Sequence, residues 1–397
     1  MIKQFSATNY YSINGTTSID FIVDDKSSTG IGYHKTQSDN VSLIEAIIGP
    51  NASGKTTSLR ALAFLQWIIV SAYRADRINL PFKPHIAIEE KNKPTQFDVT
   101  FEMEQTTYRY TLTVTQERIL SEILYIRTPS KVRTTYKKLF SREWKSDETR
   151  YNTVDNGFNL PNYEGIQADD LKNTSIIGAA RRFGHSYSKK IFDYWHNLRT
   201  NIDIDDRWMP YQYGAYQALM FYTKHAEPKA QAERTIHSYD LGIDSFGTDG
   251  FINHNFGGKT YKLQWTEESS GTQQLLVLQK MIDEVLHSGS IAVIDEFDAY
   301  LHTTMVKVLL ARFLSPVSNP NNAQLLLSTH DVEILNDLKK YQINFAGKKD
   351  GETVIKRLDS FKGVRIDDNY RKKYLAGEYA ALAHINLTDT KNIKRKK

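Results

Sequence analysis

Cysteine is absent from the 397 residues, which excludes disulfides and any thiolate metal site. Long apolar runs are missing too. The best, residues 61–72, is interrupted by Gln66 and falls short of the ~18 residues a bilayer span requires. The opening Met1-Ile2-Lys3-Gln4 has no apolar stretch of the secretory kind. A cytoplasmic protein without membrane contact is therefore expected. Charge of one sign is scarce: the net value is +5, which permits contact with nucleic acid but does not argue for it. The only dense basic run, residues 391–397, reads as a solvated, disordered tail. What is present is ordinary for a globular chain with a sizeable core: 40% hydrophobic and 24% charged residues. The length suits one large domain or two modest ones. Aromatic residues reach 12%, with 23 Tyr, a composition that suits interaction surfaces.

The chain is organised around Gly49-Pro50-Asn51-Ala52-Ser53-Gly54-Lys55-Thr56. An apolar run over 41–48 precedes it, and a helix-like segment beginning at Thr57 and running to about residue 71 follows. Strand, glycine-rich loop and helix, in that order, are what a phosphate-binding loop requires. Gly49 and Gly54 let successive backbone N–H groups turn inward, and the helix start adds positive dipole. Lys55 can reach the β- and γ-phosphates, and the Thr56 hydroxyl can hold magnesium. The stretch points to ATP and Mg²⁺ as ligands, with Gly49, Pro50, Asn51, Ala52, Ser53, Gly54, Lys55, Thr56 and Thr57 as the binding residues.

Three later stretches bear on this reading. Residues 291–296 form an apolar strand ending in Asp295 and Glu296, and strand ends in an α/β sheet face the ligand crevice. Asp295 suits magnesium-bound water, and Glu296 suits the proton of an attacking water. Ser269-Ser270-Gly271-Thr272-Gln273 opens an amphipathic helix over 270–286. Taken alone it reads as an N-cap with Gln273 completing a capping box, although a Ser-Gly helix start also offers N–H groups to an anion. Leu327-Ser328-Thr329-His330-Asp331 ends the next strand, where an imidazole could bond the γ-phosphate.

Around these motifs the pattern predicts two strands within 2–22, turning at Asn14-Gly15, and strands over 96–103, 108–114 and 118–127. Residues 129–235 change texture and read as an inserted, mostly helical lobe with long loops. Beyond it come a hairpin turning at Gly257-Gly258, short buried strands at 290–294 and 324–328, helices at 303–314 and 332–338, and strand edges over 341–358. Short apolar strands alternating with helices indicate a parallel sheet with covering helices.

Together the motifs resemble the ATP-binding-cassette heads of SMC and OLD-like ATPases. They look closest to the stand-alone prokaryotic AAA-family ATPases of phage-defence loci, including RloA/AbiLi-type and PARIS-type ATPase subunits. The resemblance implies an α/β fold: an ABC/SMC-type P-loop ATPase head, with a mixed sheet, covering helices and an antiparallel β-lobe, carrying the inserted helical lobe. The halves would be 1–128 and 236–385, the insertion 129–235 and the basic tail 386–397. It makes Gly49–Thr56 the Walker A motif, Ser269, Ser270, Gly271 and Gln273 the signature, and Asp295 and Glu296 Walker B. Residues 298–302 become the D-loop and His330 the switch histidine. Lys55, Glu296 and His330 would be catalytic, and Thr56 and Asp295 would hold the metal. Thr303 stands where the family has proline, and no Q-loop glutamine is evident, Gln96 being a weak candidate. In such heads the signature contacts the triphosphate of a second subunit, which implies a homodimer or higher oligomer with two composite sites. The implied function is an ATP-hydrolysing switch that holds or activates a separate effector, a nuclease or toxin, in anti-phage defence. The alternative is a DNA-maintenance ATPase clamping duplex through Arg181-Arg182, Lys189-Lys190 and the tail.

Overall fold

Six strands pair into a mixed sheet in the order Arg199–Thr200, Ile291–Ile294, Gln324–Thr329, Ile44–Ile48, Ile343–Lys349, Glu352–Arg357. All neighbours are parallel except the last pair. The computed structural model describes residues 1–379 apart from 25–29, 75–78, 88–92, 129–134, 162–170, 205–210, 238, 240, 241 and 248. The basic tail at 386–397 lies outside the described residues.

The central strands are apolar runs because both faces of a parallel sheet are covered. Ile44, Ala46, Ile48, Ala292, Ile294, Leu325 and Leu327 join one core, and Ile47, Ile291, Val293 and Leu326 the other. The first core is closed by the helices Ser270–Ser288 and Thr303–Leu314. The second is closed by the helix Lys55–Val70, which is apolar nearly all round because it is covered on nearly all sides. Its far side meets a seven-stranded antiparallel sheet in the order Arg150–Asp155, Thr135–Lys145, Ile119–Thr128, Thr106–Val114, Thr95–Met103, Ile2–Tyr10, Ile13–Asp20. Phe64 of the helix stacks on Phe97 of that sheet at 5.0 Å. Each such fully buried apolar side chain contributes roughly 1.5–3 kcal/mol. No helix among the described residues is long and apolar enough to cross a membrane.

The expected strands and helices recur with four differences. The first hairpin turns at Tyr11-Ser12, not at Asn14-Gly15: Tyr10 pairs with Ile13, and both are buried. A one-residue slip would turn such a strand inside out, so burial overrides the local turn signal. The run 41–48 splits at Leu43 into Asn40–Ser42 and Ile44–Ile48, which belong to different sheets. Residues 332–336 form a 3-10 turn, capped by Asp331, in place of a helix.

The fourth difference concerns 129–235, which begins with strands and not helices. Thr135–Lys145 and Arg150–Asp155 extend the antiparallel sheet. Their period is disguised because Arg142 is buried and pairs at 2.6 Å with the equally buried Glu122 of the adjacent strand. Glu122 also accepts from the Ile176 N–H and the Tyr110 hydroxyl, and Arg142 donates to the carbonyls of Leu171 and Thr174, which leaves only Arg142 Nε without a partner among the described residues. The helices follow: Ile176–Arg182 and Ser186–His196 pack on Lys55–Val70, while Tyr211–Lys224 packs on Ser270–Ser288. Arg199–Thr200, between them, is the edge strand of the parallel sheet.

Candidate functional site

Register builds the site. Ile294 lies opposite Leu327, and Ser328 and Thr329 lie opposite Ile47 and Ile48. Asp295, Ser328 and Gly49 therefore leave the sheet at one edge. The loop 49–54 rises there and ends at Gly54, whose φ is +99°. A Cβ at that residue would sit 2.0 Å from Thr353 Oγ1, so both backbone angle and space require glycine. Thr353 is itself tied to Ser12 Oγ at 2.8 Å and Lys348 Nζ at 3.1 Å. Ala52 also takes a left-handed angle, φ 61°, while Asn51 and Thr56 are exposed. Thr57 Oγ1 accepts from Ser12 Oγ at 3.3 Å.

Two groups in the loop bear on what it can bind. Ser53 Oγ is buried without a hydrogen-bond partner. The Lys55 ammonium, 6% exposed, donates to the loop's own carbonyls at Gly49 (2.9 Å) and Pro50 (3.0 Å). Burial lowers the Lys55 pKa, and the nearby charges of Asp295, Glu296 and Asp298 oppose that shift. A desolvated cation, an orphan hydroxyl and a left-handed loop opening a helix fit a phosphate chain.

The carboxylates are held by residues to which the sequence alone assigned no role. Ser328 Oγ donates to Asp295 Oδ1 at 2.5 Å and accepts the Glu296 N–H at 2.9 Å. Asn201, just beyond the edge strand, brackets Asp295 with its carboxamide. Its Oδ1 accepts the Asp295 N–H and its Nδ2 donates to the Asp295 carbonyl, each at 2.8 Å. Glu296 is exposed and left-handed, φ 50°. His330 is exposed just past the end of its strand, and its backbone N–H donates to both Asp298 oxygens at 3.3 Å. A two-residue edge strand gives no periodic signal, so Asn201 could not be found from sequence. Ser328 could have been suspected once two strand ends were aligned. Gln96 lies elsewhere, in the antiparallel sheet opposite Thr8 and Thr113.

The signature residues divide. Ser269 caps the helix Ser270–Ser288 by accepting the Thr272 N–H at 3.1 Å. Gln273, expected to touch nucleotide, is 2% exposed, and its Nε2 donates inward to the Glu268 carbonyl at 2.9 Å. It braces the turn because the helix start folds over it. Gly271 presses on the segment after Glu296: a Cβ there would lie 2.7 Å from the Tyr300 carbonyl oxygen.

The basic residues put forward for DNA contact have partners within the chain. Arg181 lies over Phe192, Arg182 over Tyr73, and Lys189 and Lys190 pair with Asp193 and Glu104.

Three solved structures are similar over 90% of this chain. They are an SMC head domain from Thermotoga maritima (14% identity, 98% of that chain, TM-score 0.43), an Smc head bound to the C-terminal winged-helix domain of ScpA (14%, 97%, 0.47) and an Smc head with an extended coiled coil bound to the C-terminal domain of ScpA derived from Pyrococcus furiosus (13%, 96%, 0.38). No curated protein matches. The profile of the family described as "AAA domain, putative AbiEii toxin, Type IV TA system" matches residues 44–336, a span that begins with the phosphate-loop strand and ends just beyond His330. With that match covering most of its length, the chain belongs to this family of AAA-type ATPases.

Proposed function

We propose that this protein is an ATP-hydrolysing dimeric switch that holds or activates a separate effector, a nuclease or toxin, in bacterial anti-phage defence. The observation that carries the reading is the convergence of Lys55, Asp295, Glu296 and Ser328 at one sheet edge. In this mechanism Lys55 leaves the carbonyls of Gly49 and Pro50 for the β- and γ-phosphates, and Ser53 and the backbone of 49–56 complete the cradle. Thr56 and Asp295 would hold magnesium, which would supply charge neutralisation on the phosphates. Ser328 orients the Asp295 carboxylate and the Glu296 backbone together. Glu296 accepts the proton of the attacking water, and His330 stands ready to bond the γ-phosphate. Ser270 and the N–H groups at its helix start reach the triphosphate of a partner copy, so two chains form two sites about a two-fold axis. Hydrolysis then separates the copies and changes what the effector meets.

The family description, with its AbiEii toxin and Type IV toxin–antitoxin system, supports the defence setting. Glu296→Gln tests the core of the reading. It should bind ATP, lose turnover by about 10²-fold or more and accumulate as an ATP-dependent dimer by light scattering. Parental turnover in this variant would remove Glu296 as the base. A monomer under saturating ATP would remove the trans site.

A further inference from the structure

The phosphate loop occupies one end of the helix Lys55–Val70. At the other end, ~24 Å away by helix rise, a cavity of about 290 Å³ opens between that helix, the helix Ser186–His196 and the edge strand Arg199–Thr200. Its wall carries Gln66, Ser71, Arg181, Phe192, His196 and Arg199. Among the described residues no carboxylate lines the cavity, although arginines are normally matched to them. Among the described residues Arg181 Nε is buried with no hydrogen-bond partner, and its guanidinium lies 3.9 Å over the Phe192 ring, which holds it flat without using its donors. Arg199 donates from Nε to Glu284 at 2.6 Å and from Nη1 to the carbonyls of His196 (2.8 Å) and Leu198 (3.3 Å), while Glu284 is shared with Lys280 at 2.8 Å. Arg181 as a whole is half-buried, and a buried N–H with no acceptor is costly unless something completes it. The group that matches a planar donor fork beside a second arginine is a phosphate.

The same wall is wired to the first site. Arg199 begins the edge strand, and two residues later Asn201 clamps both main-chain groups of Asp295. Arg199 lies opposite Ala292 in the same strand pair, three residues before Asp295.

We propose that this cavity is a second, regulatory anion site for a small phosphate-bearing molecule, no larger than a mononucleotide, whose occupancy is relayed to Asp295 through Arg199–Asn201. The binding half stands by itself; the relay half rests on the ATPase reading above.

The test is calorimetry on the full chain carrying Lys55→Ala, which disables the phosphate loop, titrated with inorganic phosphate and, separately, with AMP. One-site binding is expected for at least one of them, and the stronger arm tells free phosphate from a phosphate ester. Adding Arg181→Gln should weaken that binding at least tenfold. Adding Gln66→Glu, which sets a carboxylate in the wall at constant size, should abolish it without lowering the melting temperature. Binding of neither probe, or binding that neither substitution alters, overturns the site. In the chain with Lys55 intact, the better probe should change ATP turnover at least twofold, and Arg181→Gln should remove that response. Turnover that responds equally in both overturns the relay. A chain that binds the probe but hydrolyses no ATP would refute the ATPase reading and leave the anion site standing.

Discussion

Gly271→Ala sets two effects of opposite sign against each other. Replacing glycine by alanine within a helix usually stabilises it by up to ~1 kcal/mol, and by less in the first turn, where Gly271 sits. Here the added Cβ would lie 2.7 Å from the Tyr300 carbonyl oxygen, and ordinary contact begins at 3.4 Å, so something must move by about 0.7 Å. The obstacle is backbone, and Tyr300 is held in a left-handed conformation, φ 62°, so neither side yields by a rotamer change. Overpacking of this kind costs ~1–3 kcal/mol. The collision wins, and the variant should melt a few degrees lower. The functional loss should be larger than the stability loss. If Ser270 acts on a partner's triphosphate, tilting its helix start by that distance misplaces it at the reacting group, where an ångström can cost ~10²-fold. Turnover should fall at least tenfold and ATP-dependent dimer yield should drop, while the affinity of a dilute chain for a non-hydrolysable ATP analogue stays parental. A variant that melts higher and turns over normally would refute both the contact and the trans role.

Asn201→Ala removes both hydrogen bonds to the Asp295 backbone. The bonds are solvent-exposed, so stability should fall by only about 1 kcal/mol, whereas kcat should fall about tenfold with KM unchanged, as steady-state kinetics would read. Glu45 sits fully buried in the phosphate-loop strand, accepting from Asn344 Nδ2 at 2.6 Å, and desolvation raises its pKa well above 4.5. An acid whose native pKa is raised costs stability once the unfolded chain ionises, that is above pH 4.5, and the cost grows as pH climbs through the native value. Glu45→Gln keeps the acceptor for Asn344, so it should raise the denaturation midpoint at neutral pH. The gain should vanish below pH 4.5, and a gain independent of pH would refute the assignment.

Much of the site was legible because its chemistry is local. A loop that wraps phosphate must keep its glycines, lysine and hydroxyl within a few consecutive residues, and the apolar strands that present the carboxylates and His330 announce themselves by composition. The signature was legible only as a helix start. That Gln273 turns inward and Gly271 rests on Tyr300 depends on how two distant segments pack. The strands at 135–155 show no clean period because a buried ion pair places charge where the period demands apolar residues.

The sequence by itself determined the phosphate loop, the order of the motifs and the alternation of strand and helix, since each follows from neighbours along the chain. The tertiary structure alone decided that Asn201 and Ser328 hold Asp295, that the edge strand comes from the middle of the chain, and that two arginines line a cavity at the far end of the phosphate-loop helix. Those are contacts between residues tens to hundreds of positions apart, fixed by strand register and burial, and no local pattern encodes them.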